Sequence, residues 1–198
     1  MGITLLLGGE ELLADRAISK SMAENKDSVV TQFDGTYIEI GAITDALAPS
    51  LFGENRVVVI KGIQDLSAEV SDELAEALEV KDENLDLVLW HKGGVKGKAL
   101  LEKIKKLKPK TIPCEVIKKE SEKADFIHNE FKRFGRKVTP GGAQALLNSL
   151  GSDLREMSGA ISQLATDVPG NKPIDEDDVE KFQQGRIETT GYDVADAA

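Results

Sequence analysis

The fold is decided by residues 3–17, ITLLLGGEELLADRA, at the start of the chain. An apolar run typical of a buried strand meets Gly8 and Gly9 and is followed by a stretch with helical spacing. In many α/β proteins a phosphate-binding loop lies at such a junction, because glycines let backbone N–H groups and the helix N-terminus approach an anion. The stretch therefore predicts the first strand and helix of an α/β domain, and it raises the question of whether this loop binds a nucleotide.

The residue types in the loop do not match a phosphate-binding loop. The motif G-x-x-x-x-G-K-[ST] supplies backbone amides, a lysine for the phosphates and a hydroxyl for Mg²⁺. Counted from Gly8, its three key positions are occupied by other types: Leu13, Ala14 and Asp15. The later strand VVVI is followed by Lys61, where an ATPase needs an acidic residue for Mg²⁺. We expect this degenerate loop to bind no nucleotide, and we expect no metal ion or other cofactor.

Composition limits the class of protein. The 198 residues, 40% of them hydrophobic, suffice for one large domain or two modest ones. Apolar runs such as VVVI are far shorter than the roughly 20 residues that span a bilayer, and we expect no secretion signal. A single cysteine, Cys114, permits no internal disulfide. These features predict a folded cytoplasmic protein without membrane contact.

Strand and helix signals alternate up to about residue 120. Helices are predicted to begin near Glu10, Ala42, Ala68 and Gly97, and strands to cover 3–7, 29–33, 56–60, 86–90 and 110–116. This order favours a parallel sheet with crossover helices, and the continuously apolar strands place Trp90 in the core. We therefore assign residues 1–120 to an α/β domain.

Beyond this domain only helical signals remain. The residues 121–187 contain helix starts at Thr139 and Asp153, and the stretch DEDDVEKFQQG predicts a short fourth helix. We assign them to a small helical domain. Residues 188–198 have the pattern of the first turns of another helix, so we expect a linker and the start of a third domain there.

The net charge of −10 is unevenly distributed. Residues 92–137 carry 15 lysines and arginines and only 6 acidic residues, whereas the rest of the chain is strongly acidic. Two interpretations stay open: the basic residues form the solvated faces of amphipathic helices, or they form a positive surface that faces DNA phosphates. The candidates for the second interpretation are Lys96, Lys98, Lys103 and Lys106.

The stretch AITDALAPSLFGENR, residues 42–56, contains an adjacent apolar pair that a helix does not explain. Ile43, Leu47 and Leu51 recur every four residues, and Phe52 follows directly. Neighbouring side chains on a helix point about 100° apart, so Leu51 and Phe52 do not both face one core. Either Phe52 closes a hydrophobic cap at the domain edge, or the pair is an exposed anchor for another protein.

In combination these stretches resemble the delta subunit family of bacterial DNA polymerase III, the clamp-loader subunits that open the sliding clamp. The resemblance is carried, in this order, by LLLGGEELLADRA, SLFGENRVVVI, LVLWHKGG and LGSDLREMSGAISQL. The terminal ETTGYDVADAA is similar to the start of the family's third domain.

The resemblance implies an AAA+ type architecture: a degenerate RecA-like domain, a helical lid, and a collar domain that is missing after Ala198. It implies a non-catalytic accessory subunit of the polymerase holoenzyme that opens the clamp for loading onto primed DNA. The family's clamp-binding element falls by position on Ser50, Leu51 and Phe52. The implied partners in the replisome are the sliding clamp, primer–template DNA and, through the collar, other clamp-loader subunits.

The sequence leaves two alternative classes of function. A nucleotide-dependent ATPase with an atypical phosphate loop is the main alternative, and the substitutions at residues 13–15 and at Lys61 argue against it. A regulatory domain of the phospho-acceptor kind is less favoured, because no cluster of Asp residues lies at the predicted strand ends.

Overall fold

A computed structural model describes residues 2–50, 53–80 and 82–195, with side chains described up to Gly185. Contacts divide the chain into two compact units, Met1–Val116 and Ile117–Ala198. The elements of the first unit are β1 (Gly2–Leu7), α1 (Glu11–Glu24), β2 (Val29–Asp34), α2 (Ala42–Leu47), β3 (Arg56–Lys61), α3 (Ala68–Ala77), β4 (Leu85–His91), α4 (Lys98–Lys106) and β5 (Lys110–Pro113). Those of the second are α5 (Glu120–Arg133), α6 (Pro140–Leu150), α7 (Leu154–Asp167) and α8 (Glu176–Ala195).

The first unit is a parallel sheet with the strand order β2-β3-β4-β1-β5. After β1 the chain crosses to the edge of the sheet and forms β2, and β3 and β4 then lead back toward β1. The chain finally crosses β1 and forms β5 at the other edge. The direction of winding therefore reverses beside β1, and in open α/β sheets ligands bind at the carboxyl ends of the strands at such a point. The predicted fold class, a parallel α/β sheet followed by a helical part, is confirmed.

Both faces of the sheet are buried. Leu5, Val58 and Leu87 face one side, where they join a core with residues of α2, α3 and α4. Their neighbours Leu6 and Val57 face the other side and join residues of α1. Strands covered on both faces need continuous apolar runs, which explains why VVVI and LVLW marked them in the sequence.

Strand bounds follow the predictions closely except at β5. The first four strands lie within one residue of the predicted ends, and Trp90 is buried. Strand β5 ends at Pro113 instead of Val116. After it, Cys114 donates its N–H to the Leu7 carbonyl at 2.7 Å and accepts from the Glu10 N–H at 2.8 Å. The backbone there turns to hold the loop after β1, so the ladder cannot continue.

The helices of the second unit begin where capping residues predict. The Thr139 side chain accepts from the Gly142 N–H, and the Asp153 side chain accepts from the N–H groups of Arg155 and Glu156. The prediction of a short fourth helix followed by a separate one is wrong, because α8 runs without a break from Glu176 to Ala195. A glycine inside a helix costs only about 1 kcal/mol relative to alanine, so neither Gly185 nor Gly191 ends α8.

Candidate functional site

The crevice at the carboxyl end of β1 is the place where this topology binds ligands, and its loop is short. β1 ends at Leu7 and α1 begins at Glu11, so only three residues connect them. A phosphate-binding loop wraps its backbone around the anion over a longer stretch, with four residues between its two glycines. Three residues are too few to form that cradle.

The start of α1 is occupied by the protein's own carboxylate. The Glu10 side chain accepts a hydrogen bond from the Leu12 N–H at 3.3 Å, and the Glu10 N–H donates to the Cys114 carbonyl. A phosphate at this place would need free N–H groups at the positive end of the helix dipole. Here a negative side chain already lies at the helix start, and it repels another anion.

Gly8 is required by packing. Its φ is +133°, and a Cβ atom built on it would overlap the Cys114 carbonyl. The Gly8 carbonyl accepts a hydrogen bond from the Trp90 indole N–H at 2.8 Å. The loop is thus held against β4 and the exit of β5, which explains the glycine without a ligand.

Leu13, Ala14 and Asp15 lie where the motif would contact phosphate and metal, and they make other contacts. Ala14 is fully buried and Leu13 packs against the same cluster under the sheet. Asp15 accepts a hydrogen bond from the Lys61 ammonium at 2.9 Å, and about a third of each side chain is exposed. The side chain at the lysine position of the motif therefore faces the core, and the charge at the hydroxyl position is neutralised by Lys61.

Further ion pairs cover the carboxyl ends of the strands. Lys92 pairs with Glu11 at 3.0 Å and lies 5.0 Å from the centre of the Trp90 ring. Lys96 pairs with Asp65 at 2.7 Å, and this hydrogen bond holds the pKa of the Asp65 carboxyl below its ordinary value. Three lysines of this region are thus paired with carboxylates of the protein itself.

His91, a possible ligand or base by residue type, is structural. It is fully buried, its Nδ1 accepts from the Gly93 N–H at 2.9 Å, and its Nε2 lies 3.0 Å from the Lys96 carbonyl, to which it donates in the matching tautomer. Burial lowers the pKa of the imidazole, which keeps it neutral. Among the described residues, no group of three His, Cys, Asp or Glu could hold a metal ion.

The second region of interest follows α2, at the opposite end of the sheet. The predicted pair Leu51 and Phe52 lies outside the described residues. Ser50, immediately before it, is half-buried, and Pro49 and Gly53 are exposed. The Gly53 N–H donates to the Ser50 carbonyl at 3.5 Å.

Helix α2, which leads into this segment, is held at its start by a carboxylate of another helix. Glu73 of α3 accepts hydrogen bonds from the N–H groups of Gly41 at 3.0 Å and Thr44 at 2.6 Å. Burial alone would raise the pKa of Glu73, but the Thr44 and Gly41 donors outweigh it and the pKa lies below its ordinary value. A six-residue helix is too short to be stable alone, so this contact replaces a local cap.

Arg56 holds the other end of α2. Its guanidinium donates to the Ala46 carbonyl at 2.9 Å and to the Asp82 carboxylate at 2.8 Å. The backbone N–H of Arg56 donates to the Asn84 carbonyl. Only 13% of the Arg56 and Asp82 side chains is exposed. Because Arg56 is also the first residue of β3, it ties together the two ends of the segment that contains Ser50.

The four lysines proposed to face DNA are exposed, but their surroundings differ. Lys96 is paired with Asp65, as described above. Lys103 and Lys106 line a groove between α3 and α4 together with the carboxylates of Asp72, Glu76 and Glu79. Lys98 makes no ion pair with any residue whose side chain is described.

A family model described as DNA polymerase III, delta subunit, matches residues 5–116, more than half of the chain. The chain belongs to this delta subunit family. Curated protein sequences give no match. The family model covers the sheet, the degenerate crevice and the segment after α2, so the resemblance stated from the sequence is confirmed.

Solved structures share the fold of this delta-family chain. The Bacillus subtilis DNA clamp loader delta protein YqeN aligns with a TM-score of 0.67 and 22% identity over 91% of this chain and 57% of that one. The Thermotoga maritima RuvB Holliday junction branch migration motor aligns with a TM-score of 0.58 and 16% identity over 93% of this chain and 61% of that one. This chain thus spans less than two thirds of the length of either structure.

The residues that position the segment after α2 were not predicted from the sequence. Glu73 and Arg56 act on α2 from elements that are distant in sequence, and nothing in their local patterns indicates it. Glu10 could have been found, since a carboxylate directly before a helical stretch is a typical N-cap signal.

Within the described residues, no helix is long and apolar enough to cross a membrane.

Proposed function

We propose that this chain is the part of a clamp-loader subunit that binds the sliding clamp and opens it for loading onto primed DNA, without hydrolysing ATP itself. Membership of the delta subunit family supports the clamp-loader role. The observation that carries the non-catalytic part is the crevice, where Glu10 caps α1 and Lys61 pairs with Asp15.

In this proposal the clamp contact is made by Ser50, Leu51 and Phe52. The described surroundings support it: α2 is held at both ends, by Glu73 and by Arg56, so the segment starts and ends at fixed points. A segment whose ends are fixed loses less conformational entropy when it binds. An apolar pair in that place is suited to enter an apolar pocket of the partner.

The assembly roles are proposals of the same kind. We assign residues 1–120 to the clamp-binding domain, 121–187 to the lid, and 188–198 to the start of a collar that joins the other loader subunits in the cytoplasmic replisome. The contact with primer–template DNA belongs to that complex. The alternative, an ATPase with an atypical phosphate loop, would have to bind its nucleotide without the lysine and the hydroxyl of the phosphate-loop motif and at a helix N-terminus that Glu10 already caps.

The test is a clamp-binding assay of the chain and of a Leu51→Ala/Phe52→Ala variant. Large apolar anchors commonly contribute about 2 kcal/mol each, so the variant should bind the clamp on the order of a thousandfold more weakly, with unchanged melting. The matched control is Tyr37→Ala/Ile40→Ala, which removes two apolar side chains that are 82% and 72% exposed elsewhere in the same unit. This control should bind normally.

The same experiment decides between an anchor and a hydrophobic cap. If Phe52 closes a cap, the double variant should lose roughly 4 kcal/mol or more of stability through cavity formation. Lost stability with near-normal clamp affinity would contradict the proposal. A chain that does not bind a clamp at all would also overturn it.

A further inference from the structure

The turn between α5 and α6 forms a cationic surface in the second unit. A cavity of about 470 Å³ is lined there by His128, Lys132, Gly135, Arg136, Lys137 and Val138, which we call the α5–α6 patch. None of these lining residues is acidic. Lys132 and Lys137 are exposed, and neither makes an ion pair with any residue whose side chain is described. The lining of the patch therefore presents positive charge without a carboxylate among its residues.

The backbone of the patch is fixed from two directions. The Arg136 guanidinium donates to the carbonyls of Ala165 at 2.7 Å and Val168 at 2.8 Å, at the end of α7. The Lys137 carbonyl accepts from the Ile174 N–H at 2.8 Å. Arg136 is therefore a structural residue, and the exposed lysines are carried on a backbone that needs no ordering before a partner binds.

The lysines of α4 have the opposite environment. Lys103 and Lys106 share their groove with three carboxylates, whereas the α5–α6 patch has none. Within a Debye length of about 8 Å, such carboxylates cancel the attraction of an ammonium group for a phosphate. The two basic stretches look alike in sequence, but only the second has a lining without carboxylates.

An exposed aromatic ring lies beside the patch. Phe134, the C-cap residue that follows α5, is 43% exposed, and it is followed by Gly135 in the left-handed conformation. Proteins that bind single strands combine cations that follow the phosphates with aromatic rings on which bases stack. A duplex hides its base faces, and an acidic peptide has none to stack.

We infer that the α5–α6 patch binds single-stranded nucleic acid, with Lys132 and Lys137 on the phosphates and Phe134 against a base. The inference adds to the proposed function a DNA contact located in the second unit. The place of this contact in clamp loading rests on the proposed function. Binding to an oligonucleotide alone is measured without a clamp, so the two proposals can fail separately.

The experiment measures fluorescence anisotropy of a labelled 20-nucleotide oligothymidylate with the chain, from 20 to 200 mM salt. Lys132→Gln/Lys137→Gln should weaken binding at least tenfold at low salt and reduce the log–log salt slope by about 1.4, since each lost phosphate contact accounts for about 0.7. Phe134→Ala should weaken it at least about fivefold. The matched control Lys103→Gln/Lys106→Gln makes the same change in net charge and should alter affinity less than twofold.

Several outcomes would overturn the inference. These are no binding at 20 mM salt, equal losses in the patch variant and the α4 control, or an unchanged affinity of the Phe134→Ala variant. A labelled oligoglutamate peptide that binds as tightly as the oligothymidylate would identify a site for acidic peptides instead. Equal affinity for a blunt 20-base-pair duplex would identify a general phosphate surface. Thermal melting of each variant checks that these exposed substitutions leave the fold intact.

Discussion

The two ends of the central sheet use ion pairs in opposite ways. At the carboxyl ends of the strands, Asp15 and Lys61 meet at 2.9 Å with about a third of each side chain exposed. At the amino ends, Arg56 and Asp82 meet at 2.8 Å with 13% of each exposed, and the same guanidinium holds α2 through the Ala46 carbonyl. The first contact neutralises a crevice, whereas the second joins α2, β3 and the turn before β4.

The difference teaches that burial and shared partners, rather than distance, decide what an ion pair does. An exposed pair contributes about 0–1 kcal/mol, because water solvates both partners when they separate. Removing one partner of a buried pair leaves the other charged and unsolvated, which is strongly destabilising. The carboxyl end should therefore tolerate substitution, and the amino end should not.

The largest effect is expected from Arg56→Met, which keeps the apolar stem and removes the guanidinium. The loss of both hydrogen bonds should lower Tm by roughly 5–10 °C, measured by calorimetry. Clamp affinity should also fall, since the segment that contains Ser50 loses its tie to α2. The matched control is Lys61→Met at the carboxyl end. Equal changes in Tm for the two variants would contradict the comparison.

A smaller effect is expected from Glu73→Gln, which leaves one carbonyl oxygen where two carboxylate oxygens accept from Gly41 and Thr44. Loss of a helix cap typically costs about 1 kcal/mol, so Tm should fall by a few degrees. A variant that melts like the parent chain would show that α2 does not depend on this cap.

The Glu73 effect should depend on pH with a definite sign. The pKa of Glu73 lies below its ordinary value of 4.5, so the folded protein binds this proton less readily than the unfolded chain does. Its contribution to stability is therefore complete above that value and is lost as pH falls through the folded pKa. The Tm difference between the chain and Glu73→Gln should be constant above about pH 5.5 and shrink below pH 4.5. A difference that grows on acidification would show the opposite sign.

The smallest effects are expected in the crevice. Asp15→Asn and Lys61→Met should each change stability by less than about 1 kcal/mol, because the pair is exposed. Titration calorimetry with ATP and Mg²⁺ should give no heat of specific binding for the chain or for either variant, since Glu10 still occupies the start of α1. Saturable micromolar binding to any of the three would support the alternative of an ATPase.

Much of the α/β architecture was predictable from local patterns. Continuous apolar runs mark strands that are buried on both faces, and the first four strands lie within one residue of their predicted ends. The residue types at Leu13, Ala14 and Asp15 were enough to recognise that the lysine and the hydroxyl of the phosphate-loop motif are replaced. Their new tasks were not predictable, because Ala14 is buried by the sheet and Asp15 is paired by the last residue of β3.

The basic region could not be divided from the sequence. The stretch around Lys103 and the stretch around Lys132 have similar composition, and both were open to the same two interpretations. The acids that share a groove with the first come from α3 and the residues just after it, in an earlier part of the chain. Charge counted along a sequence leaves out neighbours that only the fold brings close.

The sequence by itself thus determined the order of strands and helices in the first unit, the caps at Thr139 and Asp153, and the loss of the residue types of the phosphate-loop motif. These depend on residue type and on spacing within one or two turns. The tertiary structure alone decided that Arg56 meets Ala46 and Asp82, that Glu73 caps α2, and that one basic stretch shares a groove with carboxylates while the lining of the other contains none. Each of these depends on distances between elements that are far apart in the chain, and packing of the sheet against its helices sets those distances.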